Sequence, residues 1–230
     1  NVSHVMRAIM ESFESTRAHE VKLSLGSTGK LYAQIRNGAP FDLFFAADEE
    51  RPRLLESEGI AVPGTRFTYA SGRLVLWSRN QNAMTTMFRD PEGNVLPPDS
   101  FRFLAIANPK LAPYGAAARE VLRAMGAWDR LQKKIVRGEN VTQAYQFVMS
   151  GSADLGFAAE AQIRQPGKES PGSCWLVPGE MYSPILQQAV LLNDSPGARE
   201  FLDFTRGAGG RRIFQKFSYG IPPVNHADDE

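Results

Sequence analysis

The sequence predicts an α/β fold in two lobes, each a mainly parallel sheet flanked by helices. Three observations predict it. Apolar strand-like runs alternate with amphipathic helical stretches, the pattern of a parallel sheet covered by helices. Phe41 to Ala47 is nearly continuous apolar sequence, as a strand buried on both faces requires. Arg73 to Ser78 and Gln187 to Leu192 are β-rich and placed to cross between lobes. The expected division is 1–76 with 189–230 as lobe I, and 77–188 as lobe II. At 230 residues the chain is long enough for two cores, and a cleft between two lobes is a favoured place for a small ligand.

The elements follow in order. Val2, Val5, Met6, Ile9, Met10 and Phe13 recur at helical spacing and open the chain on a helix. Val21, Leu23 and Leu25 alternate, which predicts a strand. Gly26-Ser27-Thr28-Gly29 leads into a helix carrying Leu31 and Ile35 and stopped at Gly38. Asp48 is placed to cap the next helix, with Pro52 in its first turn and Gly59 at its end. Phe67 to Ser78 is β-rich, and Asn80 to Ser100 reads as a polar surface excursion.

Alternation resumes with a strand at Phe103 to Ala107 and a helix from Tyr114 to Met125. A short helix follows at Trp128 to Lys134, then a strand at Ile135-Val136 and a helix from Val141 to Ser150. Further strands are expected at Asp154 to Ala158, Trp175 to Val177 and Gln187 to Leu192. Helices at Ala198 to Arg206 and Arg211 to Phe217 close the fold before a polar tail at His226 to Glu230.

Composition narrows the function classes. Hydrophobic content is 43%, charged content 22% and net charge +1, so bulk charge gives no reason to expect nucleic acid or an anionic membrane. No apolar run is long enough to cross a bilayer. Cys174 is the single cysteine, which rules out an internal disulfide and reads as a buried strand residue between Ser173 and Trp175.

Hydrolytic chemistry finds little support. The nucleophile elbow needs Gly-x-Ser-x-Gly, and Leu25 stands where its first glycine belongs. His4, His19 and His226 lie near a helix start, in a polar connection and in the tail. No His, Cys, Asp or Glu pair has ligand spacing in a supporting context, and Asp48-Glu49-Glu50 reads as an acidic first helical turn. Neither a Walker lysine nor a Gly-x-Gly-x-x-Gly turn after a strand occurs.

What remains is a recurring helix start with small or hydroxylic residues and no basic one. It occurs at Asn1-Val2-Ser3, Ser27-Thr28-Gly29, Tyr114-Gly115-Ala116 and Asn140-Val141-Thr142. A helix N-terminus offers unpaired N–H groups and the positive end of a dipole. Several such ends converging make an anion site from hydrogen bonds alone. Each has a plainer reading: Ser27, Thr28 and Asn140 as caps, Tyr114 as a packed ring. The combination is what points to an oxyanion.

Several segments together resemble the periplasmic molybdate-binding proteins of ABC uptake systems. They are Gly26-Ser27-Thr28-Gly29 with Leu31 to Ile35, Gly38 to Asp42, Phe44 to Asp48, Gly72 to Trp77, Ala107-Asn108-Pro109 through Ala112-Pro113-Tyr114-Gly115, and Gly151 to Phe157. These span most of the chain in the family's order.

The resemblance implies a two-lobed type II periplasmic-binding-protein fold with the ligand in the interlobe cleft. It implies that Asn1, Ser27, Thr28, Tyr114, Asn140 and Val141 bind the oxyanion, Val141 through its backbone N–H. A related branch carries a tyrosine near the position of Gln187, and Tyr114 is expected to take that role here. The family pattern has a central β-strand and a few small residues ahead of the position of Asn1, and a hydroxylic ligand is expected there.

The function the resemblance implies is high-affinity capture of molybdate or tungstate in the periplasm, for delivery to an ABC permease of the inner membrane. It implies a monomer, closing on its ligand by a hinge motion. No enzymatic reaction, cofactor, direct metal ligand or nucleic-acid partner is expected, since the metal is held as its oxyanion. Alternatives kept open are a receptor for sulfate or another oxyanion, an iron receptor using Tyr182 and Tyr219, the sensing half of a regulator, and a hydrolase.

Overall fold

The computed structural model describes residues 2–17, 19–86, 96 and 100–221. In chain order the elements begin with α1 (Ser3–Glu14), α2 (Thr28–Arg36), β1 (Leu43–Phe45), α3 (Glu50–Ser57) and β2 (Phe67–Gly72). The middle holds β3 (Leu74–Ser78), α4 (Ala83–Thr86), β4 (Leu104–Ala107), α5 (Pro113–Ala124), α6 (Trp128–Leu131), β5 (Ile135–Gly138) and α7 (Val141–Met149). Then come β6 (Leu155–Ala159), α8 (Glu160–Ile163), β7 (Ser173–Leu176), β8 (Ile185–Leu191), α9 (Pro196–Arg206) and α10 (Ala208–Lys216). The chain divides into two units, Gly72–Ile185 and a discontinuous one made of Val2–Ser71 and the chain from Leu186 onward.

The Gly72–Ile185 unit is built on a five-stranded sheet in the order β5-β4-β6-β3-β7. β4 runs parallel to both β5 and β6, while β3 runs antiparallel to β6 and β7. Parallel pairing is therefore confined to the strands joined by helical crossovers, the connection a parallel pair needs. Leu74, Leu76, Leu104 and Ile106 face α5 in one core, and Val75, Trp77, Ala105 and Ala158 face α7 in another. Trp77 stacks on Tyr145 with ring centroids 5.1 Å apart. Two covered faces explain why these strands read as continuous apolar runs rather than alternation.

At the edge of this unit Glu160 is only 1% exposed, yet ionisable. It is paired with Arg73 and Arg164, each at 3.1 Å, and its N–H donates to the Arg73 carbonyl. A buried carboxylate requires such partners.

The discontinuous unit carries a three-stranded sheet in the order β1-β8-β2. β1 pairs antiparallel with β8, with Phe44 opposite Val190. Ile9 and Phe13 of α1 are fully buried, and Phe13 meets Phe201 and Phe204 of α9 edge-on. Tyr69 lies against Phe214 of α10, centroids 5.1 Å apart.

Two strand expectations change here. The run Phe41 to Ala47 forms β1, but as a three-residue edge strand paired antiparallel rather than a buried parallel one. Val21 to Leu25 alternates as expected yet forms no strand, and Leu25 is 54% exposed. A cavity of ≈ 650 Å³ within this unit is lined by Val21, Leu23, Leu25, Leu43 and Phe45. Alternation places side chains, but a strand also needs a neighbouring backbone about 4.8 Å away to take its N–H and C=O groups.

Of the predicted excursion Asn80 to Ser100, Ala83–Thr86 is helical, while 87–95 and 97–99 lie outside the described residues. The tail His226 to Glu230 lies outside them as well. Cys174 is half-buried on β7.

Candidate functional site

In the discontinuous unit the predicted site residues cluster at the start of α2. Ser27 is the N-cap in an extended conformation, and its hydroxyl makes no capping bond. The first intrahelical bond runs from Leu31 N–H to the Ser27 carbonyl, so the amides of Thr28, Gly29 and Lys30 have no partner within the helix. The first turn holds no acidic residue. Thr28 is half-buried, and its Oγ1 accepts from the N–H of Ala47, just past β1, at 3.3 Å.

The nearby acid is neutralised. Asp48 is 8% exposed, with Oδ1 accepting from Arg51 N–H at 3.0 Å and Oδ2 from Arg51 Nη1 at 2.7 Å. The cap position itself falls on Glu49, whose side chain makes no capping bond; Asp48, one residue earlier, takes a first-turn amide in its place and adds a salt bridge.

In the other unit, Tyr114 and Val141 sit where the parallel strands β4 and β5 end. The two strand ends are tied by Asn108 N–H donating to the Gly138 carbonyl at 2.7 Å. α5 and α7 start from there and pack on opposite faces of the sheet. Carboxyl ends of parallel strands are where α/β sheets bind ligands.

Both starts depend on close backbone approach. A Cβ on Gly115 would lie 2.3 Å from the Ala107 carbonyl oxygen, and one on Gly138 2.8 Å from the Ala144 nitrogen. Only glycine lets these first turns sit so near the strand ends.

α5 is capped by Ala112, which has no side-chain acceptor, with Pro113 at the first turn and no acid there. Tyr114 is 3% exposed and its ring belongs to the core around Leu76 and Ile106. α7 is different. Asn140 Oδ1 accepts from Gln143 N–H at 3.0 Å, and Gln143 Oε1 accepts from Glu139 N–H at 2.6 Å. The Asn140 side chain thus serves the cap, leaving the Val141 and Thr142 amides without a carbonyl inside the helix.

The structure therefore brings Ser27 and Thr28 together in one unit, and Tyr114, Asn140 and Val141 at one sheet end of the other. Asn1 lies outside the described residues. His4 and His19 are exposed, and His19 Nε2 is 3.8 Å from Glu200. Tyr182 accepts Leu74 N–H on its hydroxyl at 3.1 Å.

Among the described residues three ion pairs lower carboxyl pKa values, that of Asp194 with Arg199 at the surface and two on partly buried carboxyls. The Arg66 guanidinium on Glu56 holds its carboxyl below the usual range against the effect of burial, with Gly64 N–H helping. Burial pushes the Asp154 carboxyl up, but Arg102 and the N–H groups of Arg102 and Phe103 outweigh it and bring it below the usual range.

Sequence reasoning missed Ala47, Tyr69 and Gln187 as neighbours of the Thr28 end. Their hydrogen bonds join positions 19 to 118 residues apart, and no local pattern encodes that.

Known proteins resemble this chain along most of its length. The family described as bacterial extracellular solute-binding protein matches residues 1–220, and the chain belongs to that family. Within it, the chain groups with the proteins called molybdate-binding protein ModA. It is 44% identical to that of Azotobacter vinelandii over 96% of this chain and 87% of the relative. It is 41% identical to that of Rhodobacter capsulatus over 95% of this chain and 84% of the relative. The solved Azotobacter vinelandii periplasmic molybdate-binding protein superposes with a TM-score of 0.87 at 41% identity, covering 97% of this chain and 96% of that one.

Proposed function

We propose that the chain binds molybdate or tungstate with high affinity in the periplasm, as the receptor of an ABC uptake system, and hands the anion to an inner-membrane permease. The observation that carries the reading is the start of α2. Its three leading amides have no helical partner, Ser27 makes no capping bond and no acid stands in the first turn. That is a donor-only surface, suited to an anion carrying no proton. The Azotobacter and Rhodobacter relatives named for molybdate binding support the choice of anion.

The ligand set we propose is Ser27 and Thr28 from one unit, and Tyr114, Asn140 and Val141 from the other, with Asn1 added. Thr28 and Tyr114 donate through hydroxyls, and Val141 through its N–H. Asn140 contributes its backbone, because its side chain is the cap. The protein works as a monomer, with no chemical step and no cofactor. We take its working lobes to be the two units of the fold, with the expected boundaries after 76 and 188 moved to 71/72 and 185/186 so that β3 stays whole and Gln187 stays with Tyr69. Tungstate is included because the two anions are nearly equal in size and charge.

Isothermal titration with molybdate, tungstate and sulfate tests the reading. One saturable site for the first two, and much weaker heat with sulfate, is the expected result. No binding of either metal oxyanion would overturn it.

A further inference from the structure

Thr28 has one proton and two lone pairs to place. One lone pair takes the Ala47 N–H, so the hydroxyl proton is left to donate elsewhere. The other end of that same peptide group is also held. The Ala46 carbonyl oxygen at 2.9 Å and Gln187 Oε1 at 3.0 Å are both acceptors for the Tyr69 hydroxyl, whose single proton serves one of them at a time. Because the peptide unit is planar, fixing its oxygen fixes its N–H.

The holding groups are themselves immobile. Tyr69 is 3% exposed and Gln187 fully buried. The Tyr69 ring is set against Phe45 at 5.4 Å and Phe214 at 5.1 Å, centroid to centroid. Gln187 stands on β8, whose next residue ties the same stretch, Gln188 carbonyl accepting from Ala46 N–H at 2.9 Å. A tyrosine and a glutamine in an otherwise apolar layer are costly to bury unless satisfied.

We propose that Tyr69 and Gln187 are positioning residues for the Thr28 donor, acting through the Ala46–Ala47 peptide. They touch no ligand. They set the direction of the Ala47 N–H and, through it, the rotor of the Thr28 hydroxyl. The inference rests on the reading of Thr28 as an oxyanion ligand.

A double-mutant cycle tests it, with molybdate dissociation constants from titration calorimetry and thermal midpoints for each protein. Thr28→Ala should weaken binding by about ten- to a hundredfold. Tyr69→Phe should weaken it by about three- to tenfold when Thr28 is present. On the Thr28→Ala background Tyr69→Phe should change affinity by less than about twofold, while lowering the thermal midpoint as it does in the parent. A merely structural tyrosine would lower the midpoint without this coupling.

Equal weakening in both backgrounds, or none with Thr28 intact, overturns the inference and leaves the molybdate reading standing. If Thr28→Ala binds like the parent, the ligand role of Thr28 fails and this inference with it. Gln187→Leu is carried through the same cycle, which decides the matter if Tyr69→Phe does not yield folded protein.

Discussion

At the scale of single residues, the proposed ligand set makes selectivity a matter of hydroxyl donors and of the Asp48 carboxylate paired with Arg51. Tyr114→Phe removes one oxygen from a ring that is already buried. On the ligand set proposed above, it should cost roughly 1.5–3 kcal/mol of binding, about ten- to a hundredfold in dissociation constant. Circular dichroism should stay that of the parent, and titration calorimetry measures the loss. Phosphate near neutral pH keeps a proton that needs an acceptor, and Asp48 has both oxygens engaged by Arg51. A protonated oxygen facing only donors costs at least ~1–3 kcal/mol, so phosphate should not displace molybdate at comparable concentration. Arg51→Met releases the Asp48 charge. It should weaken molybdate binding, and by less at high salt, because an unpaired carboxylate beside the Thr28 end repels a dianion. Titrations at two ionic strengths check this.

At the scale of elements, helix starts matter more than helix bodies. Gly115 permits α5 to begin against the end of β4, where a Cβ would strike the Ala107 carbonyl. Gly115→Ala should destabilise the protein by about 1–3 kcal/mol, as overpacking does. It should also weaken oxyanion binding, because Tyr114 is the neighbouring residue of the same turn. Gly126→Ala, which meets no atom within 4 Å but has φ of +64°, strains only the far end of α5. It should lower the melting temperature without a comparable change in affinity. Comparing thermal shift with titration for the two variants separates the effects.

Across the whole molecule, acid stability follows from the lowered carboxyls. Glu56 and Asp154, one in each unit, have pKa values below their ordinary 4.5 and 3.8. A carboxyl depressed in the folded state binds its proton more readily when unfolded. Its stabilisation is therefore fully present above the ordinary value and is lost as pH falls through the folded one. Urea midpoints should be level above about pH 5.5 and decline below about pH 4.5. Glu56→Gln should lower the midpoint at neutral pH and make its fall toward acid shallower. A variant whose acid profile parallels the parent's would count against Glu56 as a contributor.

Much of the architecture was legible in the residues. The apolar stretches of β3, β4 and β6 read as strands, and the glycines at 38, 59, 126 and 151 marked helix ends that all have positive φ; that both faces of the β3-β4-β6 sheet are covered was not legible, and the one run read as buried on both faces, Phe41 to Ala47, became the edge strand β1. The helix starts at Ser27 and Asn140 were readable because caps are local chemistry, decided within about four residues. Even the cap's occupancy is local, for Asn140 spends its oxygen on Gln143 three residues on, whereas Ser27 makes no cap bond. Tertiary structure alone decided that Val21 to Leu25, for all its alternation, is not a strand, and that Thr28 meets the Ala47 N–H, whose peptide lies against Tyr69. The physical reason is the same in each case. Periodicity and caps are set by neighbours along the chain, while a ladder partner or a hydroxyl's direction is set by groups far away in sequence that folding brings within 3 Å or so.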